Sequence, residues 1–346
     1  MNKRLLCPSI LLILGLALIL PADRMTRIAR TSSTGGQSGT SWVRYVMVGL
    51  GGFRGVISEI LWIRADRLQQ QGRYMELVQL SDWITALDPR ATEGWTFNAW
   101  NLAYNIPAML PDYQARLSWV QAGISLLQDK AIPANPDSAR LYKELGWLYQ
   151  DKIGSPNDSA HLVYKLDLAS RYQENGALVR NAPPSPYGAL DPALIGRIEK
   201  RFGKIDWRLA DAHALYWACK GLELKPTGFD EDSLRRMVQQ TLIGLLFAGH
   251  FSGNVETGEY RTEPDFELLP GLDAFFKETI RLHESEKKIY AIFLARLTRA
   301  YASRGQQEEA HAIYKKLVDI AKEAEIYLPS YQEIVSGTPI DLIRRP

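Results

Sequence analysis

The residues that could carry reaction chemistry are few and scattered. None of the five histidines, His161, His213, His250, His283 and His311, has another histidine or a cysteine three to five positions away, the spacing that lets one short element offer two metal ligands. Asp211 and His213 lie two positions apart, and on a helix that gap turns the two side chains to different faces. Gly51-Gly52-x-x-Gly55 has the glycines of a phosphate loop but lacks the lysine and the serine or threonine of a nucleotide site, and no strand is written before it. No serine occupies a nucleophile-elbow setting. Glu76, Glu93 and Glu144 stand among helix-forming residues, where a carboxylate is more often a solvated face than a general acid or base. The expectation is a protein without an enzyme signature, a cofactor or a metal site.

Charge and cysteine usage narrow the partners. Forty-one basic against thirty-nine acidic residues leave a formal +2, so nothing global argues for nucleic acid or another polyanion. Cys7 falls in an apolar N-terminal run and Cys219 in an expected helix, so a disulfide framework is not indicated. At 346 residues, 46% hydrophobic and 23% charged, the chain reads as folded, with one large or two medium domains.

The stronger signal is repetition. Leu61, Ala65 and Leu68 form an apolar stripe with one small member. Gly72 closes that helix, and Tyr74, Leu77, Leu80 or Ser81, and Ile84 recur at helical spacing until Pro89 stops the second helix. Trp95, Ala99 and Leu102 repeat the first stripe 34 residues on. A partner helix is expected over 112–129. A third opening helix is marked by Tyr142, Leu145, Gly146 and Tyr149, and is followed by another over 160–174. Residues 205–224 and 230–247 read as further helices. A last pair is marked by Leu294, Thr298, Tyr301, Gly305, Ala310, Tyr314 and Leu317.

This spacing resembles the tetratricopeptide repeat (TPR), a helix-turn-helix unit of about 34 residues with fixed large and small packing positions. Leu61, Ala65, Leu68, Gly72, Tyr74, Leu77, Ser81, Ile84 and Pro89 fall on the family's positions, although Leu77 and Ser81 depart from its usual alanine and aromatic. The resemblance covers residues 58–91, 92–130, 139–174 and 291–324. It implies an all-α, TPR-like α-solenoid of stacked helical hairpins and a role in protein-protein interaction or assembly. In repeats of this class the first helix of each pair lines the concave face. Carried onto this sequence, that register places Trp62, Asp66, Gln69 and Gln70 there, then Trp100 and Tyr104, then Lys143, Trp147, Gln150 and Asp151. Trp100 and Trp147 share one repeat position, and for each a groove anchor and a core wedge stand as equal readings. Asn98, Asn101 and Asn105 share a helical face, one or two positions off the groove, where contacts to the neighbouring loop are the preferred reading.

Around the repeats the organisation reads as follows. Residues 1–21 carry Lys3 and Arg4 before an apolar run at 5–20, a membrane anchor or signal, and the lack of a small-x-small cleavage site after the run favours the uncleaved anchor. Residues 22–41 form a Gly/Ser/Thr-rich tether, and residues 42–174 hold the N-terminal repeats. Within them, 42–63 is apolar enough for a second span, but Arg54 and Glu59 favour a soluble reading. Residues 175–204 are expected to be a Pro/Gly-rich connection, 205–327 a second helical region, and 328–346 a tail. Two functions remain. One is a membrane-tethered, extracytoplasmic (periplasmic) scaffold that presents its groove to a protein partner. The other is an envelope enzyme or glycan-binding protein with a cleft between the two helical halves, in which case carboxylates should gather beside the tryptophan rings.

Overall fold

Gly72 makes the first corner. Its φ of +67° is a left-handed conformation that glycine adopts without a Cβ penalty, and Arg73 N donates back to Leu68 O at 2.9 Å to close the helix before it. The computed structural model describes residues 54–179 and 186–336. Apart from one two-stranded ribbon, these residues form helices and their connections. The expected anchor at 5–20, the tether at 22–41 and residues 42–53 of the second apolar stretch lie outside the described residues. Among the described residues no helix is long and apolar enough to cross a membrane.

Helices α1 (Arg54–Gln70) and α2 (Tyr74–Leu87) pair as the first hairpin and bury Ala65, Leu68, Leu77, Leu80 and Ile84 as a small core of their own. The second pair is longer than the repeat pattern suggests. Helix α3 (Thr92–Trp100) passes through a π-helical turn (Asn101–Asn105) into one further turn (Ile106–Met109). Helix α4 (Tyr113–Ser125) does the same through Leu126–Ala131 into Ile132–Ala134. Asp112 starts α4 by accepting from Ala115 N at 2.7 Å, the side-chain cap that an unpaired first-turn amide needs. The two helices approach closely at Gly123, where a Cβ would stand 3.0 Å from Ala99 O. Helix α5 (Ala139–Trp147) also ends in a π-helical turn, Leu148–Ile153, before α6 (His161–Arg171).

The sequence-based boundary at 175–204 needs correction. A helix, α7 (Pro192–Phe202), occupies its second half. Pro192 reads as a breaker in a proline-dense stretch, yet at the first position of a helix its missing N–H is no loss, and Asp191 supplies the cap by accepting from Ala193 N at 2.9 Å. Residues 205–209, expected to be helical, precede α8 (Ala210–Leu222). Asp206 fixes this segment by accepting from Phe251 N at 2.9 Å and pairing with Arg208 at 2.6 Å.

Helix α9 (Phe229–Ala248) opens with Asp230, Glu231 and Asp232, whose charges oppose the positive end of the helix dipole. It leads into the antiparallel ribbon β1 (His250–Phe251) and β2 (Thr262–Glu263). Tyr260, in the connection between the two strands, packs on Phe251 of β1 with ring centroids 5.4 Å apart. A 3-10 turn at Phe266–Leu268 then enters α10 (Leu269–Leu282), also absent from the sequence reading because Pro270 and Gly271 open it. The last pair is α11 (Glu286–Ser303) and α12 (Gln307–Glu323), with Gly305 at φ +77° in its corner. Helix α13 (Tyr331–Val335), capped by Ser330 and Glu333, lies on α11 and buries Ile334.

One continuous core runs from Trp95 to Ile334. Helix α5 packs chiefly on α8, and Gly146 permits it: a Cβ there would meet Met237 Sδ at 2.6 Å and Ala214 O at 3.3 Å. The two helical halves therefore share an interior.

Candidate functional site

The first helices of three successive pairs, α1, α3 and α5, enclose an open groove of about 520 Å³. Its wall is built from Trp62 and Gln69 on α1, from Glu93, Thr96, Phe97, Trp100 and Asn105 on α3 and its continuation, and from Arg140 and Glu144 on α5. Trp62 meets Phe97 edge to face at 5.2 Å, so one end of the groove is aromatic. Arg140 and Glu93 form an ion pair at 2.8 Å on its rim.

Trp100 is the centre of the arrangement. It is 41% exposed, while its indole N–H donates to Glu144 Oε2 at 2.9 Å and its ring stacks on Tyr104 with centroids 4.7 Å apart. The ring is thus held from its edge and from behind, and a large apolar face stays open to solvent. Glu144, only 8% exposed, binds Lys143 Nζ through its other oxygen at 2.9 Å. Tyr104 OH donates to Asp151 at 2.8 Å, and burial, with that carboxylate second, pushes its hydroxyl pKa well above the usual range. Lys152 lies over the Tyr104 ring at 5.1 Å and pairs with Asp158 at 2.5 Å. Burial pushes the Asp158 carboxyl up, but Lys152, the Ala160 amide and Tyr164 together outweigh it and hold the group down at about 2.

One π-helical turn follows Trp100 directly and one follows Trp147. Residues four apart lie on one helix face. Tyr104 therefore stacks under Trp100, and the equivalent residue after Trp147 is Asp151, the acceptor for Tyr104. Two copies of one local distortion meet across the α3–α5 contact.

Of the residues expected on the concave face, Trp62, Gln69 and Trp100 line the groove, and Tyr104 and Lys143 support it from behind and from the side. Asp66 and Gln70 are exposed on α1 and bond each other at 2.8 Å, outside the groove lining. Trp147 and Gln150 are half-buried and also stand outside it. Trp147 packs half-buried against the core with the Lys143 ammonium 5.8 Å from its ring centre, whereas Trp100 lines the groove. Asn98 and Asn101 are buried and reach back to Asp82 Oδ1 and Tyr74 O at 3.2 and 3.3 Å, fastening α3 to the first hairpin; Asn105 alone of the three borders the groove.

Sequence reasoning missed Glu93, Thr96, Phe97, Arg140 and Glu144. Glu144 had the only available signal, its position between Lys143 and the small residue Gly146. Among the described residues, no three or more His, Cys, Asp or Glu side chains gather where they could hold a metal ion. No model of a known protein family and no curated protein matches this chain.

Proposed function

We propose that the chain is a non-enzymatic scaffold, a TPR-like solenoid tethered to a membrane by residues 5–20, whose groove takes an extended segment of a partner protein in assembling an envelope complex. One observation carries the reading: the groove is made by equivalent helices of three consecutive pairs, with the open Trp100 face at its middle. Tryptophan combines a large apolar area with low conformational freedom, which suits it to anchor a partner side chain. Asn105, Thr96 and Gln69 border the ring with amide and hydroxyl groups suited to a peptide backbone.

A second reading has its own support. Carboxylates do stand beside the aromatic rings, Glu144 at Trp100 and Asp151 at Tyr104, as a glycan-binding or hydrolytic site would require. Against it, both oxygens of Glu144 are already engaged by Trp100 and Lys143, which fits a support better than an acid or base.

Crosslinking in the native membrane separates the two. The scaffold predicts capture of a discrete protein that Trp100→Ala abolishes and Trp147→Phe leaves in place. Capture unchanged by Trp100→Ala, or saturable binding of envelope oligosaccharide to the same face, would turn the assignment to the second reading. Placement outside the cytoplasm predicts that added protease cuts the helical part once the outer barrier is opened; cutting only after the inner membrane is broken would reverse it.

A further inference from the structure

A second pocket, of about 180 Å³, lies between α9, the end of α10 and the start of α11. Several of its polar groups are already engaged. Arg235 donates to Glu231 at 2.9 Å and to Glu278 at 2.8 Å, so its charge is balanced by two carboxylates. His283 Nε2 lies 3.0 Å from Asp232 Oδ1. The Thr279 hydroxyl donates to Phe275 O at 2.9 Å, which leaves its oxygen able to accept.

Two groups are not satisfied. Gln239, on α9, is 2% exposed, and its Oε1 is buried with no donor; Glu286, in the first turn of α11, has Oε2 buried in the same condition. A buried acceptor left without a donor is destabilising, and here two such atoms belong to residues lining one pocket. The unmet demand is for N–H or O–H donors. Asp232 and Glu286 outnumber the cation not already balanced, Arg236 at the exposed rim, so a positively charged donor is favoured. The space equals roughly six waters at about 30 Å³ each, more than a bare ion fills and enough for a short carbon chain.

We propose that this pocket binds a small primary amine. Its ammonium donates to Gln239 Oε1 and Glu286 Oε2, Thr279 Oγ1 is the third acceptor, and Asp232 adds negative charge. The proposal does not depend on the groove or on its partner.

Isothermal titration of the full chain with butylamine and with putrescine tests it, with tetramethylammonium as a cation that has no N–H and butyrate as an anion. Both amines should bind saturably and the other two should not. Glu286→Gln should weaken butylamine binding roughly tenfold and Gln239→Met by roughly threefold to tenfold, as expected for the loss of one charged and one neutral acceptor. Gln239→Met keeps the volume and decides the matter where Glu286→Gln does not fold. The proposal is overturned by the absence of saturable heat with either amine, which would leave ordered water as the occupant. Equal binding of tetramethylammonium, or variants that melt like the native chain and bind amines unchanged, would overturn it as well.

Discussion

Asp211 and His213 sit two positions apart near the start of α8, and the interior pushes them in opposite directions as the pH falls. His213 is fully buried, with Nε2 2.9 Å from Trp207 O and Nδ1 without a partner, so a proton arriving on Nδ1 would have no acceptor. Burial holds its pKa down at about 4 against an ordinary 6.5. The unfolded chain therefore takes up this proton first, and stability is lost as the pH falls from 6.5 toward 4. Burial pushes Asp211 up to about 7 from an ordinary 3.8, with Lys165 pulling weakly the other way. Here the native state takes the proton first, and stability is gained as the pH falls from 7 toward 3.8.

Between pH 7 and 5 linkage gives a loss of about 2 kcal/mol from His213 and a gain of about 2 kcal/mol from Asp211. The Asp211 side chain is only half-buried, and screening by solvent reduces its gain to about 1 kcal/mol. The native protein should thus lose about 1 kcal/mol over this interval, whereas Asp211→Asn should lose about 2 kcal/mol, because His213 is then unopposed. Urea denaturation at pH 7 and pH 5, at one ionic strength, reads the difference directly. Parallel pH profiles for the two proteins would refute the opposing-pair argument, and a shallower profile for Asp211→Asn would reverse its sign.

Three further outcomes follow from the same geometry. Lys152→Met removes the more buried of the two cations paired with Asp158 and leaves Arg116 at 3.1 Å. The carboxyl held at about 2 then moves back toward 3.8, and the variant should be less stable at pH 7 by about 2 kcal/mol. In the native protein this contribution is complete above pH 3.8 and disappears as the pH falls toward 2, so the acid limbs of the two melting profiles should converge below pH 2.5. Gly271→Ala places a Cβ 2.6 Å from the Phe202 backbone where α10 crosses the end of α7. It should destabilise by about 2 kcal/mol in chemical denaturation, and a neutral result would show that the two helices can separate freely. Ile334→Ala strips the buried residue of α13 from α11. It should cost about 2–4 kcal/mol and raise amide exchange in α11 and α12 before the rest.

The helical character of the chain and most helix ends were legible because each rests on local chemistry. Gly72 and Gly305 turn corners with positive φ, Pro89 halts α2, and Ala65, Ala99, Gly146 and Ala310 mark close approaches that any packed hairpin needs. Helices α7 and α10 were not legible, because Pro192 and Pro270 look like breakers when their role as first-turn residues depends on caps that the sequence does not announce. Trp62, Gln69 and Trp100, which the resemblance implied for a concave face, are among the residues that line the groove. Glu144 and Arg140 belong to it through contacts across helices, Glu144 to Trp100 and Arg140 to Glu93, far apart in the chain, and no local pattern encodes those.

Trp100 and Trp147, which the sequence resemblance places at one repeat position, both precede a π-helical turn but differ in their surroundings. What differs is the next layer. On one side, α3 meets α1 and the first hairpin, which carries its own small core and leaves the Trp100 face uncovered. On the other, α5 meets α8, drawn in by Gly146 and backed by α9. Helix α8 seats closely on α5 at Gly146, and Trp147 packs half-buried against the main core. Gly146→Leu should therefore act beyond its local clash. By displacing α8 it should expose Trp217, which packs on Tyr142 of α5 with ring centroids 6.2 Å apart, shift the indole emission to longer wavelength and loosen α8 and α9 in hydrogen exchange, with α1 and α2 unaffected. Uniform loosening of all hairpins would instead mean that the first hairpin depends on the main core and that the division between the two cores carries no energetic weight.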